Sequence, residues 1–316
     1  MTRLAKRRSF EEGYVPRLGV SMLELLVAIS VIGLLVALLL PAVQNSRESA
    51  RRIQCLSQIR QLGLATSNFS EARSVLPRGD IALIEILPFV EGAPRVSDGQ
   101  FVTHVPVYVC PSDNTVPGDQ PQIAKTDYRM NDGACLGLAQ SMAPFSRNGV
   151  YMFNTQFRGF KGYQPKDFTD GFSTTALFSE RFYGLGFDRT EEKCKANPQL
   201  CLWYVKARFY TGEEDAFFAH CREPDNRTGT KPILRAEQQS IYSWEEPYDH
   251  VFPPNTIGCY ARPTDDADHT NDAAIPATSR HPEGVNVCFC DGSARLSPTG
   301  SISSCGERSV LEMATS

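Results

Sequence analysis

Between Leu25 and Ser46 the chain carries no charged side chain, whereas from Arg47 onward charged and apolar positions interleave. As an α-helix rising about 1.5 Å per residue, those 22 positions reach roughly 33 Å, enough to cross a hydrocarbon layer of about 30 Å. Pro41 falls near the end of this run, where a missing backbone N–H predicts a kink. Beyond it the apolar residues recur every three to four positions, at Ala50, Ile53, Leu56, Ile59, Leu62 or Gly63, and Thr66, with Arg47, Glu48, Arg51, Arg52, Gln54 and Arg60 between them. The pattern predicts one helix over residues 20–68, membrane-spanning over about 22–43, whose second half buries a stripe against a globular head. The arginines at 47, 51 and 52 read as a solvated helix face, or as contacts to lipid phosphates or a neighbouring subunit.

The remainder, residues 69–316, changes character. Short apolar runs such as Ile81 to Leu87 and Val105 to Val109 end at Pro88 and Cys110-Pro111, and Asp-Gly pairs recur at Asp98, Asp132, Asp170 and Asp291. This predicts a mainly antiparallel sheet with many connections, and Val105 to Val109 is expected to be extended. Near the C-terminus Val285, Val287 and Phe289 alternate with Asn286, Cys288 and Cys290 in the manner of a half-buried strand. Asp291-Gly292 suits a two-residue type I′ turn, so Ala294 to Leu296 should return antiparallel. The fold class is α+β, a long N-terminal helix on a sheet-based head.

Charge orients the anchor. Arg3, Lys6, Arg7, Arg8 and Arg17 against Glu11 and Glu12 give the first nineteen residues a formal +3, which by the positive-inside rule keeps them cytoplasmic and sends the head across the membrane. A secretory signal would have a shorter apolar core and an Ala-x-Ala site, and this run passes instead into Asn45-Ser46-Arg47. Glu24 stands out, since a carboxylate in an apolar helix costs roughly 2.5 to 3.5 kcal/mol at the bilayer centre and calls for a partner.

Gly19, an apolar residue after it and a Glu five positions on resemble the prepilin signature of type IV pilins and type II secretion pseudopilins. The resemblance implies that residues 1–19 are a leader, that Gly19 is the cleavage-site residue for a prepilin peptidase/N-methyltransferase, and that Val20 is the methylated new terminus. It also implies that Glu24 meets the terminal ammonium of a neighbouring pilin-like subunit. A buried anion and cation offset each other's cost in lipid when paired, which gives that role a physical basis.

Removing 19 of 316 residues leaves 297, enough for one large or two ordinary domains. A net charge of −4 and a pI near 5.8 exclude an electrostatic footprint for nucleic acid. All ten cysteines lie from Cys55 to Cys305, beyond the apolar run, and an oxidising compartment makes disulfides the expectation. Cys194 and Cys201 close a short loop and form a local candidate pair. Cys288 and Cys290 should face the same side of one strand, so their partners come from elsewhere, with Cys110, Cys259 and Cys305 as candidates. No Cys-x2-Cys pair supports zinc. Calcium is the one cofactor with candidate ligands, Asp265, Asp266, Asp268 and Asp272, in a segment that lacks EF-hand spacing and reads more readily as an acidic solvated loop.

A second resemblance covers most of the chain. Pro41-Ala42-Val43-Gln44, Arg47 to Arg52, Cys55, Gln61 to Ala65, Leu87 to Glu91, Cys110 to Asp113, Thr169 to Thr175 with Glu180, Pro253-Pro254-Asn255 with Cys259, and His281 to Asn286 with Asp291-Gly292-Ser293 occur in the order found in DUF1559 proteins. Those are bacterial pilin-like proteins of undefined function. The resemblance implies a pilin-like fold, a single pass through the inner membrane with contact to its lipid, and a head in the periplasm or on the cell surface. Residues 183–248 match less clearly and read as a disulfide-braced insertion.

Within the His281, Asp291, Gly292 signature the two readings are a metal or acid–base pair and a structural role around the hairpin, the latter favoured. No Gly-x-Ser-x-Gly, His-Glu-x-x-His, P-loop or dinucleotide fingerprint is present, and Glu180-Arg181 and His220-Cys221 are isolated. The expected role is non-enzymatic. It is either a processed subunit of a type II secretion or type IV pilus-like filament, or a non-polymerising, membrane-anchored binding module.

Overall fold

The protein was analysed as a computed structural model that describes residues 21–92, 105–113, 125–134, 149–150, 163–168, 171–182, 191–210, 212–232, 248–261 and 273–300. It divides into two compact units, Met1–Arg47 and Glu48–Ser316. One helix, α1 (Met22–Arg73), supplies the described part of the first unit and opens the second. In the first unit Ser21 caps it: the Glu24 carboxylate accepts from the Ser21 N–H at 2.9 Å and the Glu24 N–H donates to Ser21 Oγ at 3.2 Å, a reciprocal capping box. The large apolar side chains from Met22 to Val43 are 47 to 91% exposed, and the helical assignment runs through Pro41 without a break.

In the second unit α1 buries Cys55, Gln58, Ile59, Leu62, Gly63, Ala65, Thr66, Phe69 and Ser70, a repeat of three and four that marks one helix face. This face is rotated from the expected stripe. Ile59, Leu62, Gly63 and Thr66 lie on it, but Ala50 and Ile53 are exposed and Leu56 is half-buried. The reason is that polar and sulfur groups on the buried face are satisfied there. Cys55 is disulfide-bonded to Cys110, and Gln58 bonds both the Tyr128 hydroxyl (3.0 Å) and the Pro106 carbonyl (3.2 Å). The helix also runs five residues past the expected end, because Phe69 and Ser70 are still buried. It stops at Ser74, whose φ of 60° is left-handed.

Short helical turns follow α1, among them α2 (Ala82–Glu85). Pro106–Tyr108, expected to be extended, is a 3-10 turn with proline at its start, and the Tyr108 hydroxyl donates to the Leu83 carbonyl at 2.6 Å. The strands are β1 (Tyr128–Met130) and β2 (Ala176–Glu180), then after α3 (Glu191–Ala196) β3 (Cys201–Val205), and after α4 (Glu214–Arg222) β4 (Arg227–Pro232). The last four are β5 (Gly258–Tyr260), β6 (Ala273–Ala274), β7 (Gly284–Phe289) and β8 (Ala294–Pro298). Among the described residues the strands form two four-stranded sheets, β1-β2-β7-β8 and β4-β3-β5-β6. The strand pairings there are antiparallel except β3 with β5. The long-helix, antiparallel-rich α+β class expected from the residue pattern is the one observed.

The first sheet carries the core against α1. Ile59, Leu62 and Phe69 pack with Leu83, Ile86, Leu87, Tyr128, Phe178 and Cys288, and Phe69 meets Phe89 edge to face at 5.9 Å. On the other side of β7, Val285, Val287 and Phe289 join Ala176, Tyr248 and Ala277. β7 is thus buried along its whole length rather than half-buried. The second sheet builds its own core around Trp203, Phe217 and Phe252, with the disulfides Cys194–Cys201 and Cys221–Cys259 in it. Cys288 and Cys290 are buried free thiols; of their expected partners, Cys110 and Cys259 are bonded to Cys55 and Cys221, and Cys305 lies outside the described residues. Burial pushes the Cys288 thiol up to about 12, so it behaves as a small apolar side chain.

The β7–β8 connection differs from the two-residue turn expected. The Gly292 N–H donates to the Phe289 carbonyl and the Phe289 N–H to the Ser293 carbonyl, and only Gly292, at φ 80°, is left-handed. This is a three-residue loop, a turn closed by a glycine bulge. Its tight contact is with α1, since a Cβ on Gly63 would stand 2.5 Å from Cys288 Sγ and 2.9 Å from Gly292 Cα. Helix propensity favours alanine at Gly63 by about 1 kcal/mol, but overpacking costs typically 1 to 3 kcal/mol against a backbone that cannot yield. Gly63→Ala is therefore expected to destabilise the chain, measured as a lower denaturant midpoint for the detergent-solubilised protein. An unchanged or raised midpoint would contradict this packing.

Candidate functional site

Glu180 closes β2, a strand buried throughout, so its carboxylate is carried into the interior by the strand itself. A buried carboxylate needs donors. Asn286 on the neighbouring β7 supplies two, its N–H to Oε2 and its side-chain amide to Oε1, both at 2.8 Å. His281 lies just before β7. Its N–H donates to Ser279 Oγ, and its carbonyl accepts from the Gly284 N–H and the Asn255 side-chain amide. Gly284 permits this entry into the strand, because at φ 150° a Cβ would meet the Ser297 carbonyl oxygen at 1.9 Å.

The His281 ring is 1% exposed and lies between two carboxylates. Nδ1 is 2.9 Å from Glu48 Oε1 on α1, and Nε2 is 3.5 Å from Glu180 Oε1 and 3.8 Å from Cys110 Sγ. Burial pulls the imidazole pKa down, but hydrogen bonds and charge from Glu180 and then Glu48 outweigh it and hold it above the ordinary histidine value. For Glu48, desolvation pushes upward, and bonds from Arg51, His281 and Ser112 bring the net below the usual carboxylate range. Arg51 reaches Glu48 Oε2 at 2.9 and 2.5 Å, and Ser112 Oγ reaches Oε1 at 3.2 Å. Arg52 pairs with Glu283, and Arg60 donates to the Ala294 carbonyl at 3.1 Å. The arginines at 51 and 52 thus hold acids of the same unit instead of forming a bare solvated face.

The arrangement is a polar clasp that ties α1, from Glu48 to Arg60, to β2, β7 and the Cys110 turn. Chemically it offers an imidazole held between two carboxylates beside two sulfurs. Among the described residues, no hydroxyl or thiol nucleophile stands in hydrogen-bond contact with the ring other than the bonded Cys110 sulfur.

His281 and Asp291, read together in the sequence, do different things. No hydrogen bond or ion pair among the described residues joins them. Asp291 Oδ1 accepts from the Ser293 N–H (2.9 Å) and hydroxyl (2.6 Å) at the exposed loop whose left-handed position is Gly292. Among the described residues, the Glu24 carboxylate is hydrogen-bonded to Ser21 of its own first turn. Cys194 and Cys201 are bonded to each other. Gly19 and Val20, and the calcium candidates Asp265, Asp266, Asp268 and Asp272, lie outside the described residues.

Sequence reading missed the clasp because its members are far apart, His281 and Glu48 by 233 positions and Glu180 and Asn286 by 106. One signal was available. Glu180 ends the apolar run Ala176-Leu177-Phe178, where an acid requires a buried partner.

Replacing His281 by alanine removes a partner shared by the buried Glu180 and the half-buried Glu48 and is expected to cost about 2 to 4 kcal/mol. Asp291→Ala removes one exposed loop cap, worth about 1 kcal/mol. Chemical unfolding of the detergent-solubilised chain checks the order, and a larger loss for Asp291→Ala would contradict it.

Residues 44–96 and 87–302 match a family described as a protein of unknown function, DUF1559. No curated protein and no solved structure matches the chain. The matched segments take in Glu48, Cys55, Cys110, Glu180, His281 and Asp291, so the whole clasp lies inside them, and the chain belongs to the DUF1559 family.

Proposed function

We propose that this chain is a pilin-like structural subunit. It is processed by a prepilin peptidase after Gly19, anchored in the bacterial inner membrane by the apolar part of α1, and assembled with other such subunits into a type II secretion or type IV pilus-like filament. The observation that carries the reading is the unpartnered apolar surface of α1. Every residue from Ser21 to Arg47 is exposed, and the large apolar ones need lipid or other helices to cover them. A second observation adds to it. Ile53 and Leu64, 67% and 60% exposed, are eleven residues apart, three helical turns, and so share one outward face of α1 within the second unit. Packing with a neighbouring helix would cover them.

In this reading Glu24 exchanges its local Ser21 cap for the ammonium of a neighbouring Val20, which removes an unpaired charge from lipid. The clasp keeps the head in register with the helix that makes the filament contacts. The role is structural rather than catalytic, and the partners are the peptidase, sister subunits and inner-membrane lipid.

Assembly is tested by cysteine-free lysine cross-linking in membranes that carry wild type, Glu24→Gln or Gly19→Val. Wild type is expected to give a ladder of oligomers. Glu24→Gln should stay in the membrane fraction with the ladder reduced at least about tenfold, a loss of roughly 1.4 kcal/mol per contact or more. Gly19→Val should retain the leader and give no ladder. A ladder unaffected by either change, or none from wild type, would favour a membrane-anchored binding module that does not polymerise.

A further inference from the structure

Among the described residues, Cys55, Cys110, Glu180 and His281 form the one group of His, Cys and carboxylate side chains whose ligand atoms lie within 4.8 Å of one another, and all four are buried. We propose that the dithiol form of this chain binds one zinc ion through Cys55 Sγ, Cys110 Sγ, His281 Nε2 and a Glu180 carboxylate oxygen, with Glu48 orienting the imidazole. The inference is independent of filament assembly.

A tetrahedral zinc with bonds of about 2.3 Å to sulfur and about 2.0 to 2.2 Å to nitrogen and oxygen sets its ligand atoms roughly 3.3 to 3.8 Å apart. His281 Nε2 stands 3.8 Å from Cys110 Sγ and 3.5 Å from Glu180 Oε1, already at those separations. The other separations all lie within 4.8 Å, and the two sulfurs, bonded to each other here, have to part. The four ligands come from α1, the Cys110 turn, the end of β2 and the entry to β7, so the fold rather than a local loop holds them.

Zinc-bound histidines commonly donate their other ring N–H to a carboxylate, and ligating carboxylates are themselves hydrogen-bonded. Glu48 Oε1, 2.9 Å from His281 Nδ1, fixes the tautomer that leaves Nε2 free to coordinate. Glu48 is in turn held by Arg51 and Ser112, and Glu180 by both donors of Asn286. The other two disulfides, Cys194–Cys201 and Cys221–Cys259, have no such group around them among the described residues.

Coordination needs thiols. As zinc binds, each thiol gives its proton to solvent and its sulfur bonds the metal, any proton on His281 Nε2 leaves to solvent with them, and the imidazole keeps its Nδ1 proton toward Glu48. Nothing is oxidised or reduced in that step. Preparing the dithiol from the disulfide takes two electrons and two protons. A water-soluble phosphine supplies the electrons and leaves as its oxide, with its oxygen and the protons from water.

The test uses the full chain in detergent, reduced with the phosphine, transferred to anaerobic buffer without it, and given zinc chloride, with metal content read by plasma mass spectrometry. The reduced chain is expected to retain about one zinc per chain and the oxidised chain less than about a tenth of that. Cobalt(II) in place of zinc should show thiolate charge-transfer and tetrahedral d–d absorption. Glu48→Gln should weaken zinc binding about 10- to 100-fold, and Cys55→Ser or Cys110→Ser should weaken it further. The Cys288→Ser/Cys290→Ser pair should keep the full amount.

Because cysteine variants can fail to fold, a readout on the unmodified chain stands beside them. With zinc bound, Cys55 and Cys110 should resist iodoacetamide at least about tenfold better than without it, as counted by peptide mass spectrometry. Three results would overturn the site: no zinc on the reduced chain, zinc that survives loss of both Cys55 and Cys110, or labelling of those two cysteines that zinc does not change.

Discussion

An α-helix can satisfy its backbone alone, but it cannot hide its own side chains, and the rest of this protein is arranged around that constraint. Along α1 the problem is met in two ways. Residues 48–73 bury a continuous face, Cys55 through Ser70, against the β1-β2-β7-β8 sheet and the short turns beside it. Residues 21–47, the most apolar stretch of the helix, are exposed throughout. Such a surface is stable only in contact with lipid or other apolar chains, and that requirement gives the functional reading its direction.

Within the second unit, apolar packing and the polar clasp contribute differently. Fully burying side chains such as Ile59, Leu62 and Phe69 stabilises by about 1.5 to 3 kcal/mol each. The gain from burying charges near His281 is largely cancelled by their desolvation. Packing therefore provides most of the docking energy. The clasp provides uniqueness: a one-residue rotation of α1 could still bury apolar side chains, but it would separate Glu48 from His281, Arg60 from the Ala294 carbonyl and Cys55 from Cys110. Gly63 adds a steric condition on the same register, since its missing side chain lets the helix rest on Cys288 and Gly292.

Much of this was readable from the residue pattern because it is governed by local periodicity. The helix, the antiparallel-rich head and the β7–β8 hairpin all follow from spacing of three to four or of two. Where the expectation differed, a long-range contact decided. Ile53 lost its place on the buried face to Cys55 and Gln58, whose partners Cys110 and Tyr128 lie 55 and 70 residues away. Pro106–Tyr108 became a turn because its proline starts one readily and the Tyr108 hydroxyl has the Leu83 carbonyl to reach. The clasp could not be read at all from spacing, as Glu48, Glu180 and His281 meet only when helix, strand and loop are assembled. The His281 and Asp291 signature looked like one site because its members are close in sequence, yet one side chain lies between the buried Glu180 and the half-buried Glu48 and the other caps an exposed loop.

The account stands on the nature of the N-terminal segment. A chain that keeps its basic leader is an ordinary anchored protein, whereas a chain cut after Gly19 presents an ammonium that Glu24 of a neighbour can meet. Intact-mass and N-terminal peptide mass spectrometry of the protein isolated from its own membranes separates the two. The account predicts a chain that begins at N-methylated Val20, and a mature protein that still begins at Met1 would contradict it.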